Sequence, residues 1–431
     1  MVTGVKEIHQ GAGARAWWLL GLLVAIHSCN WMDRYLATIL LQPIKEDLKL
    51  SDTQLGTITG FGFSVVYSLT ALPLARMVDV GPRKLLLSLF VGTWSTATML
   101  ASMVTGFLSL AATRVAIAAS ESGCSPTAYS LISDSFPAQF RGRAISLYAL
   151  GVPFGAWAGL GLGGYVNALY GWRATFLILG APGLLLALFT LLWMREPARG
   201  RFDTKESAAQ TFTVIEALHV MKASPAFILS CASIGLLAIT TSSFQGWAPT
   251  FMMRSQGLSS SAVGIISGTM SGIGGILAAL IAGLLVDSLG RRDPRWYLWL
   301  PMAGAAILLP AEFVFLRSEG ALSYVCYFIT VFAGGAYVAP LFTLCQILLP
   351  PRMRAIGSAA MLLVINLVGM GGGIFAAGAL SDIFLARGFG NPLGTALQCL
   401  QFGAVLSIGT LAWAATYVKH EGRPGNEVPT S

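Results

Sequence analysis

The sequence predicts an all-α polytopic membrane protein with twelve transmembrane helices in two pseudo-symmetric six-helix halves. Three observations predict it. Of the 431 residues, 55% are hydrophobic and only 11% charged, with a mean hydropathy of +0.71, against roughly 25% charged in an ordinary soluble domain. Apolar runs of about 20 residues, enough to cross a hydrocarbon core of ~30 Å as helices, recur through the whole chain. Polar motifs of the first half also return at matching places in the second. Lipid leaves backbone groups no outside partner, and the alternating strands of a barrel are not visible, so a helical bundle is the architecture that remains.

The opening residues are polar and rich in Gly and Ala. The apolar run from Trp17 is too long for a signal peptide and lacks a small-residue cleavage site, so the first helix is expected to stay. Spans are predicted at 16–42, 53–78, 84–104, 107–134, 143–168, 172–194, 225–252, 260–286, 295–317, 321–348, 355–384 and 393–418. The longest polar interruption starts at Arg195 and divides them six and six; within it, 211–222 has helical spacing suited to lying on the membrane face. The expected organisation is a cytoplasmic tail (1–15), a first bundle (16–194), a cytoplasmic linker (195–224), a second bundle (225–418) and a second cytoplasmic tail (419–431). With both termini cytoplasmic, most of the 27 Lys and Arg fall on cytoplasmic segments, as the positive-inside rule requires. The net charge of +8 therefore reads as orientation, and the absence of a basic patch with interleaved aromatics excludes nucleic acid. The expected location is a bacterial inner membrane.

The six cysteines (Cys29, Cys124, Cys231, Cys326, Cys345, Cys399) each sit inside an apolar run with no CxxC pair, so disulfide and zinc readings fail. The glycine runs "GAWAGLGLGG" (155–164) and "GMGGG" (369–373) follow no strand; they read as small-residue helix contacts or flexing points rather than a dinucleotide loop.

The two halves repeat. "GLLVDSLGRR" (283–292), after the eighth span, answers "ARMVDVGPRK" (75–84), after the second; "FPAQFRGRA" (136–144) answers "LPPRMRAIG" (349–357), with Pro137 on Pro350 and Arg141 on Arg354. At these residues the chain resembles the major facilitator superfamily, whose loop motif Gly-x-x-x-Asp-x-x-Gly-Arg-Arg/Lys is matched at Gly283, Asp287, Gly290, Arg291 and Arg292. The first copy departs at Ala75 and Pro82 and keeps Asp79, Arg83 and Lys84. "NWMDRY" (30–35), Arg114 with "ESGCSP" (121–126), "REPARG" (195–200) and "WAP" (247–249) further resemble the spinster branch, whose better-known members move sphingosine-type and lysophospholipid-type lipids. Asn366 and Met370 stand where animal spinster proteins would carry His and Asp. The resemblance implies the major facilitator fold, alternating access, and an inner gate at the two loop motifs, with Asp79 near Arg83, Asp287 near Arg291, and Arg141 and Arg354 as gate partners. There Asp79 and Asp287 would also accept the N-terminal dipole of a facing helix.

Asp33, Arg34, Arg114 and Glu121 are the charges expected deep in the membrane. At ~1.5 Å per residue, Asp33 lies about 12 Å below the outer end of the first span and Arg114 about 10 Å below that of the fourth, so the two can meet. Glu121 follows Arg114 by two turns and shares its helix face. Carboxylates and arginines together within a bilayer make a site whose pairing changes with protonation, or else a permanent ion pair. The expected roles are protons or a headgroup on Asp33 and Glu121, and partner switching or anion binding by Arg34 and Arg114. The second half shows no deep charge, Glu312 being placed at the interface with Arg317. It offers Phe244, Gln245, Trp247, Tyr337, Thr343 and Asn366, which with His27 and Asn30 make the candidate cavity lining.

A cavity charged on one wall and weakly polar on the other suits an amphipathic substrate. The expected function is a secondary active transporter, proton-coupled, for a sphingosine- or lysophospholipid-type lipid. The alternatives are a proton-coupled organic-anion symporter and a transporter-like receptor or sensor. A membrane enzyme is disfavoured because the four histidines (His9, His27, His219, His420) are scattered. No cofactor or metal is expected; the expected partners are a small amphipathic or anionic substrate, protons and the lipid bilayer, and the expected state is a monomer.

Overall fold

The structure, a computed structural model, describes residues 13–202, 214–350 and 353–421. Residues 1–12, 203–213 and 422–431 of the expected tails and linker, with His9 among them, lie outside the described residues, as does the His420 side chain. All regular structure among the described residues is helical. The spans are α1 (Ala14–Ile39), α2 (Asp52–Val80), α3 (Arg83–Met103), α4 (107–135), α5 (138–170), α6 (172–193), α7 (Pro225–Ser255), α8 (Ser260–Leu289), α9 (Trp296–Phe315), α10 (Gly320–Leu348), α11 (Arg354–Ala386) and α12 (Pro392–Val418).

Nine stretches among the described residues are long and apolar enough to cross a membrane. One of them, Ala138–Trp193, holds two spans, because Gly171 at φ 78° takes a left-handed turn that a side chain would oppose and folds α6 back on α5. The two spans outside the nine, α1 and α4, are those that carry Asp33, Arg34, Arg114 and Glu121. Short helices cover Leu41–Leu48 and Val214–Ala223; the second overlaps the expected 211–222 segment and ends one residue beyond it, and its Met221 is buried in the second-half core.

Small residues set how the halves meet. A Cβ on Gly164 would lie 2.3 Å from the Ser260 carbonyl oxygen, so α5 and α8 touch backbone to backbone. On the other side of the bundle α2 and α11 cross where each widens into a π-helical segment, Thr57–Phe61 and Ile365–Gly373.

The hydrogen bonds that join the halves gather at one end, around the 41–54 connection. Asp52, 1% exposed, accepts Arg254 of α7 at 2.7 and 2.8 Å, Lys45 at 2.6 Å and Ser381 of α11 at 2.7 Å. Asp382 caps the start of α2 from α11, taking the Thr53 amide at 2.7 Å and hydroxyl at 2.6 Å. One apolar cluster spans both halves at this end, with Leu36, Leu55, Trp172, Phe251 and Tyr327; the other two cores each belong to one half. At the opposite end Leu69, Leu72 and Val80 of α2 and Leu280 and Leu284 of α8 are exposed.

The repeated loops fold alike. Arg141 donates from Nε to the Phe136 carbonyl, closing α4, and Arg354 donates from Nε to the Leu349 carbonyl, closing α10, each five residues back. The Asp79 and Asp287 loops differ from expectation. Both aspartates are exposed, and neither is hydrogen-bonded or ion-paired to Arg83 or Arg291. Arg83 is fully buried and turns inward instead, to Asp134 and, at 2.9 Å, to Glu196. The reason is the segment after α6. Arg199 donates to the carbonyl oxygens of Val78, Asp79 and Gly81, and Gly200 donates its amide to Asp134, so "REPARG" seals the end of the first half and occupies Arg83. The first six residues of the expected linker are therefore part of that half.

Candidate functional site

The deep charges form two crossed ion pairs between α1 and α4. Arg114 Nη1 reaches Asp33 Oδ2 at 3.2 Å, and Thr98 of α3 donates to Asp33 Oδ1 at 2.6 Å. Arg34 Nε reaches Glu121 Oε2 at 2.9 Å. Depth along the helices brought Asp33 to Arg114 as expected; the partner of Glu121 is Arg34 rather than the Arg114 that precedes it on its own helix.

Burial distinguishes the four groups. Glu121 is fully buried and Asp33 and Arg114 nearly so, whereas the Arg34 side chain keeps 12% of its surface. Aromatic faces enclose it: the guanidinium carbon of Arg34 lies 4.9 Å from the Trp31 ring, 5.0 Å from Phe63 and 4.8 Å from Tyr67. Phe63 also faces Arg114, at 5.1 Å. A guanidinium held this way keeps its charge in apolar surroundings through ring quadrupoles as well as its carboxylate. Two polar atoms of the cluster have no hydrogen-bond partner, Glu121 Oε1 and Arg114 Nε, and near them so does Asn30 Nδ2. The pairing leaves hydrogen-bonding capacity unused.

A cavity of about 70 Å³ lies against these pairs, between the halves. Arg34, Arg114, Trp31, Tyr35 and Phe63 form one wall, and Ser242, Gln245, Gly246, Met370 and Ile374 the other. Tyr35 donates to Gln245 at 3.2 Å across the gap. The volume holds a few waters and not a drug-sized ligand, which needs roughly 300 Å³ or more.

Of the expected lining, Gln245 is in place. Phe244 packs in a ring cluster with Phe315 and Tyr327, Trp247 is fully buried and donates to the Ile374 carbonyl at 2.9 Å, and Tyr337 belongs to the second-half core. Successive residues on a helix point roughly 100° apart, so Gln245 faces the gap while Phe244 does not. His27 stacks on Tyr148 at 4.2 Å, and Asn366 donates to the Leu362 carbonyl within α11. Thr38, Thr59 and Phe63 were not foreseen as lining, since a hydroxyl or a ring in an apolar run carries no signal of its own; Met370, set apart in the sequence by its departure from the animal pattern, lines the second-half wall.

Glu312 overturns an expectation. It is 0% exposed, inside the second half, and both carboxylate oxygens lack a hydrogen-bond partner. Arg317 points away, with its guanidinium on the Phe313 ring at 3.7 Å and on Gln398 of α12 at 3.1 Å. The facing Gln401, at the break in α12, also leaves its Nε2 unbonded. The second half thus does hold a buried acidic group, one turn from the end of α9.

Residues 23–373 match the family model of the Major Facilitator Superfamily. The chain is 33% identical over 409 residues to an MFS-type efflux pump of Mycolicibacterium smegmatis, covering 93% of each. It is 27% identical over 440 residues to protein spinster homolog 1 of Homo sapiens, covering 96% of this chain and 82% of that one. Among solved structures it is similar to a bacterial homolog of the human lysosomal transporter Spinster in an inward-facing and unoccupied conformation. There the TM-score is 0.82 and the identity 27%, over 96% of this chain and 98% of that one.

Proposed function

The chain belongs to the Major Facilitator Superfamily and to its spinster branch, an integral membrane transporter and not an enzyme, and from that premise we propose a proton-coupled transporter of an amphipathic, lipid-like substrate of the sphingosine or lysophospholipid type. One observation carries the reading: Arg34 stands between the cavity and Glu121, bonded to the carboxylate on one side and open to the cavity on the other. A proton arriving on the unpartnered Oε1 of Glu121 removes the charge that holds Arg34. The guanidinium is then free for a polar headgroup, while Asp33 keeps Arg114 in place. Met370, Ile374 and Gly246 on the facing wall suit the apolar part of such a molecule. Because the cavity is small here, loading requires the halves to part at the end where Leu69 and Leu280 are exposed. We take that end, which carries the basic loops, as cytoplasmic, with both termini on the same side. The six-and-six division after "REPARG" then provides two bodies that rock about the central site.

The two arginines in the cavity wall also favour a second reading, a proton-coupled organic-anion symporter in which Arg34 and Arg114 clamp a carboxylate.

Proton movement in sealed proteoliposomes tests both. A sphingosine-type lipid, a lysophospholipid and a sugar acid are offered in turn to wild type, Asp33→Asn and Glu121→Gln. Substrate-dependent proton flux with a lipid, lost in Glu121→Gln, is the expected result. Flux with the sugar acid alone selects the symporter. Substrate movement unchanged in both variants overturns proton coupling through these groups.

A further inference from the structure

A second concavity, far larger than the central one at about 850 Å³, lies at the end of the first half where α1 begins and α6 ends. Its walls come from Arg15 and Trp18 at the start of α1, Trp193 at the end of α6, and Arg195 and Arg201 just beyond. The three arginines are exposed, and none of them forms an ion pair among the described residues. The carboxylate nearest to them in the wall, Glu196, is already taken by Arg83 and by the Lys84 amide. Among the described residues the groove is thus a concave surface with three guanidinium groups that meet no free carboxylate, Arg201 lying over the Phe202 ring at 5.2 Å. Its height is fixed by sequence: the apolar spans α1 and α6 stop here, at the boundary where indole rings concentrate. A row of aromatic rings runs along its edge, Trp18 to Phe189 at 5.7 Å between ring centroids and Phe189, one turn further into α6, to Trp193 at 5.0 Å. All three rings are exposed among the described residues, Trp193 by 59%.

We propose that this groove binds one anionic phospholipid of the adjoining leaflet, with the phosphate among Arg15, Arg195 and Arg201 and an acyl chain along Trp18, Phe189 and Trp193. Guanidinium groups match phosphate oxygens two bonds at a time, and a polar head joined to an apolar tail is what a basic pocket over an aromatic track selects. Bound there, the lipid ties the start of α1 to the "REPARG" segment, which itself closes the end of the first half through Arg83 and Arg199. The site lies apart from the central cavity, so it does not depend on which substrate is transported.

The test uses the full chain in nanodiscs and brominated acyl chains, which quench indole fluorescence on contact. Brominated phosphatidylglycerol is titrated against brominated phosphatidylcholine; the signal of Trp18 and Trp193 is isolated by difference against the Trp18→Phe/Trp193→Phe variant. Wild type is expected to prefer the anionic lipid roughly tenfold at low salt, and to lose most of that preference at high salt. Arg15→Gln/Arg195→Gln/Arg201→Gln is expected to abolish it, and replacement of the same three by Lys to retain part. The salt titration of wild type stands even where the triple variant fails to fold. Equal quenching by the two lipids, or a preference untouched by salt or by the glutamines, overturns the proposal. Displacement of the lipid by millimolar inorganic phosphate would assign the arginines to a free anion and overturn it as well.

Discussion

Asp382 and Thr53, on opposite halves of the molecule, are bound twice, the carboxylate of one accepting both the amide at 2.7 Å and the hydroxyl at 2.6 Å of the other. Together with the Asp52 amide at 3.1 Å, this makes Asp382 the cap of α2, supplied in trans. A carboxylate at a helix N-terminus satisfies free amides and meets the positive end of the helix dipole. That chemistry was expected of Asp79 and Asp287, at the other end; the structure uses it where the halves are joined.

Asp382→Asn should therefore weaken the joined end specifically. Loss of charge-assisted bonds of this kind costs about 1–3 kcal/mol, enough to shift a closed-to-open ratio from about fivefold to about 150-fold. Spin labels across the 42–54 connection and the end of α7 should show a new long-distance population in the variant. Unchanged distances would mean that Asp52, with Arg254, Lys45 and Ser381, holds the end alone.

The aromatic box predicts that Arg34 cannot be replaced by lysine. Trp31, Phe63 and Tyr67 lie about the guanidinium at 4.8 to 5.0 Å while Nε bonds Glu121, an arrangement a point ammonium cannot reproduce. Arg34→Lys should lower substrate-dependent transport about tenfold or more with the fold intact, close to the effect of Arg34→Gln. Transport by the lysine variant within about twofold of wild type would reduce Arg34 to a positive charge.

Removing one member of a buried pair differs from removing an unpaired acid. Arg114→Gln leaves Asp33 buried with Thr98 as its remaining partner, and breaking such a pair costs about 3–5 kcal/mol. Glu312 has no ion pair to lose, so Glu312→Gln should stay within about 1 kcal/mol of wild type and Glu312→Leu should be neutral or stabilising. Thermal unfolding of the three variants in one detergent orders them. A large loss in Glu312→Gln would show that the carboxyl has a partner in the membrane.

What was legible in the sequence was whatever depends on distance along a helix. The spans, the break between 168 and 172, the repeat of Arg141 with Arg354 and the meeting of Asp33 with Arg114 all follow from counting residues. What was not legible depends on rotation about helix axes and on segments outside the spans. Rotation decides that Gln245 faces the cavity while Phe244 and Trp247 pack, and that Arg34 rather than Arg114 takes Glu121. It also hides Glu312 behind α12, although counting places it one turn from a helix end. "REPARG" read as the start of a linker because its docking partners, Arg83 and Asp134, lie on other helices more than fifty residues before it.

That docking gives the stability of the first half a pH dependence of known sign. Glu196 is partly buried, which opposes ionisation, but hydrogen bonds from the Arg83 side chain and from the Lys84 and Arg83 amides outweigh burial and hold its carboxyl below the usual range. A group with a depressed folded value stabilises the fold above its unfolded value, about 4.3 for glutamate. That contribution disappears as pH falls through the lower folded value. Wild type should thus melt above Glu196→Gln at pH 7, and the gap should narrow steadily below about pH 4.3. The neutral amide can still accept from Arg83, so the gap is modest, and Asp134 remains as a second carboxylate on the same guanidinium. Paired melting curves of the two proteins between pH 7 and the lowest pH at which both stay monodisperse decide it. A gap that holds constant or widens on acidification would show that the Glu196 charge does not secure "REPARG", and would leave Arg199, bonded to the Val78 carbonyl at 2.9 Å, as the anchor of that segment.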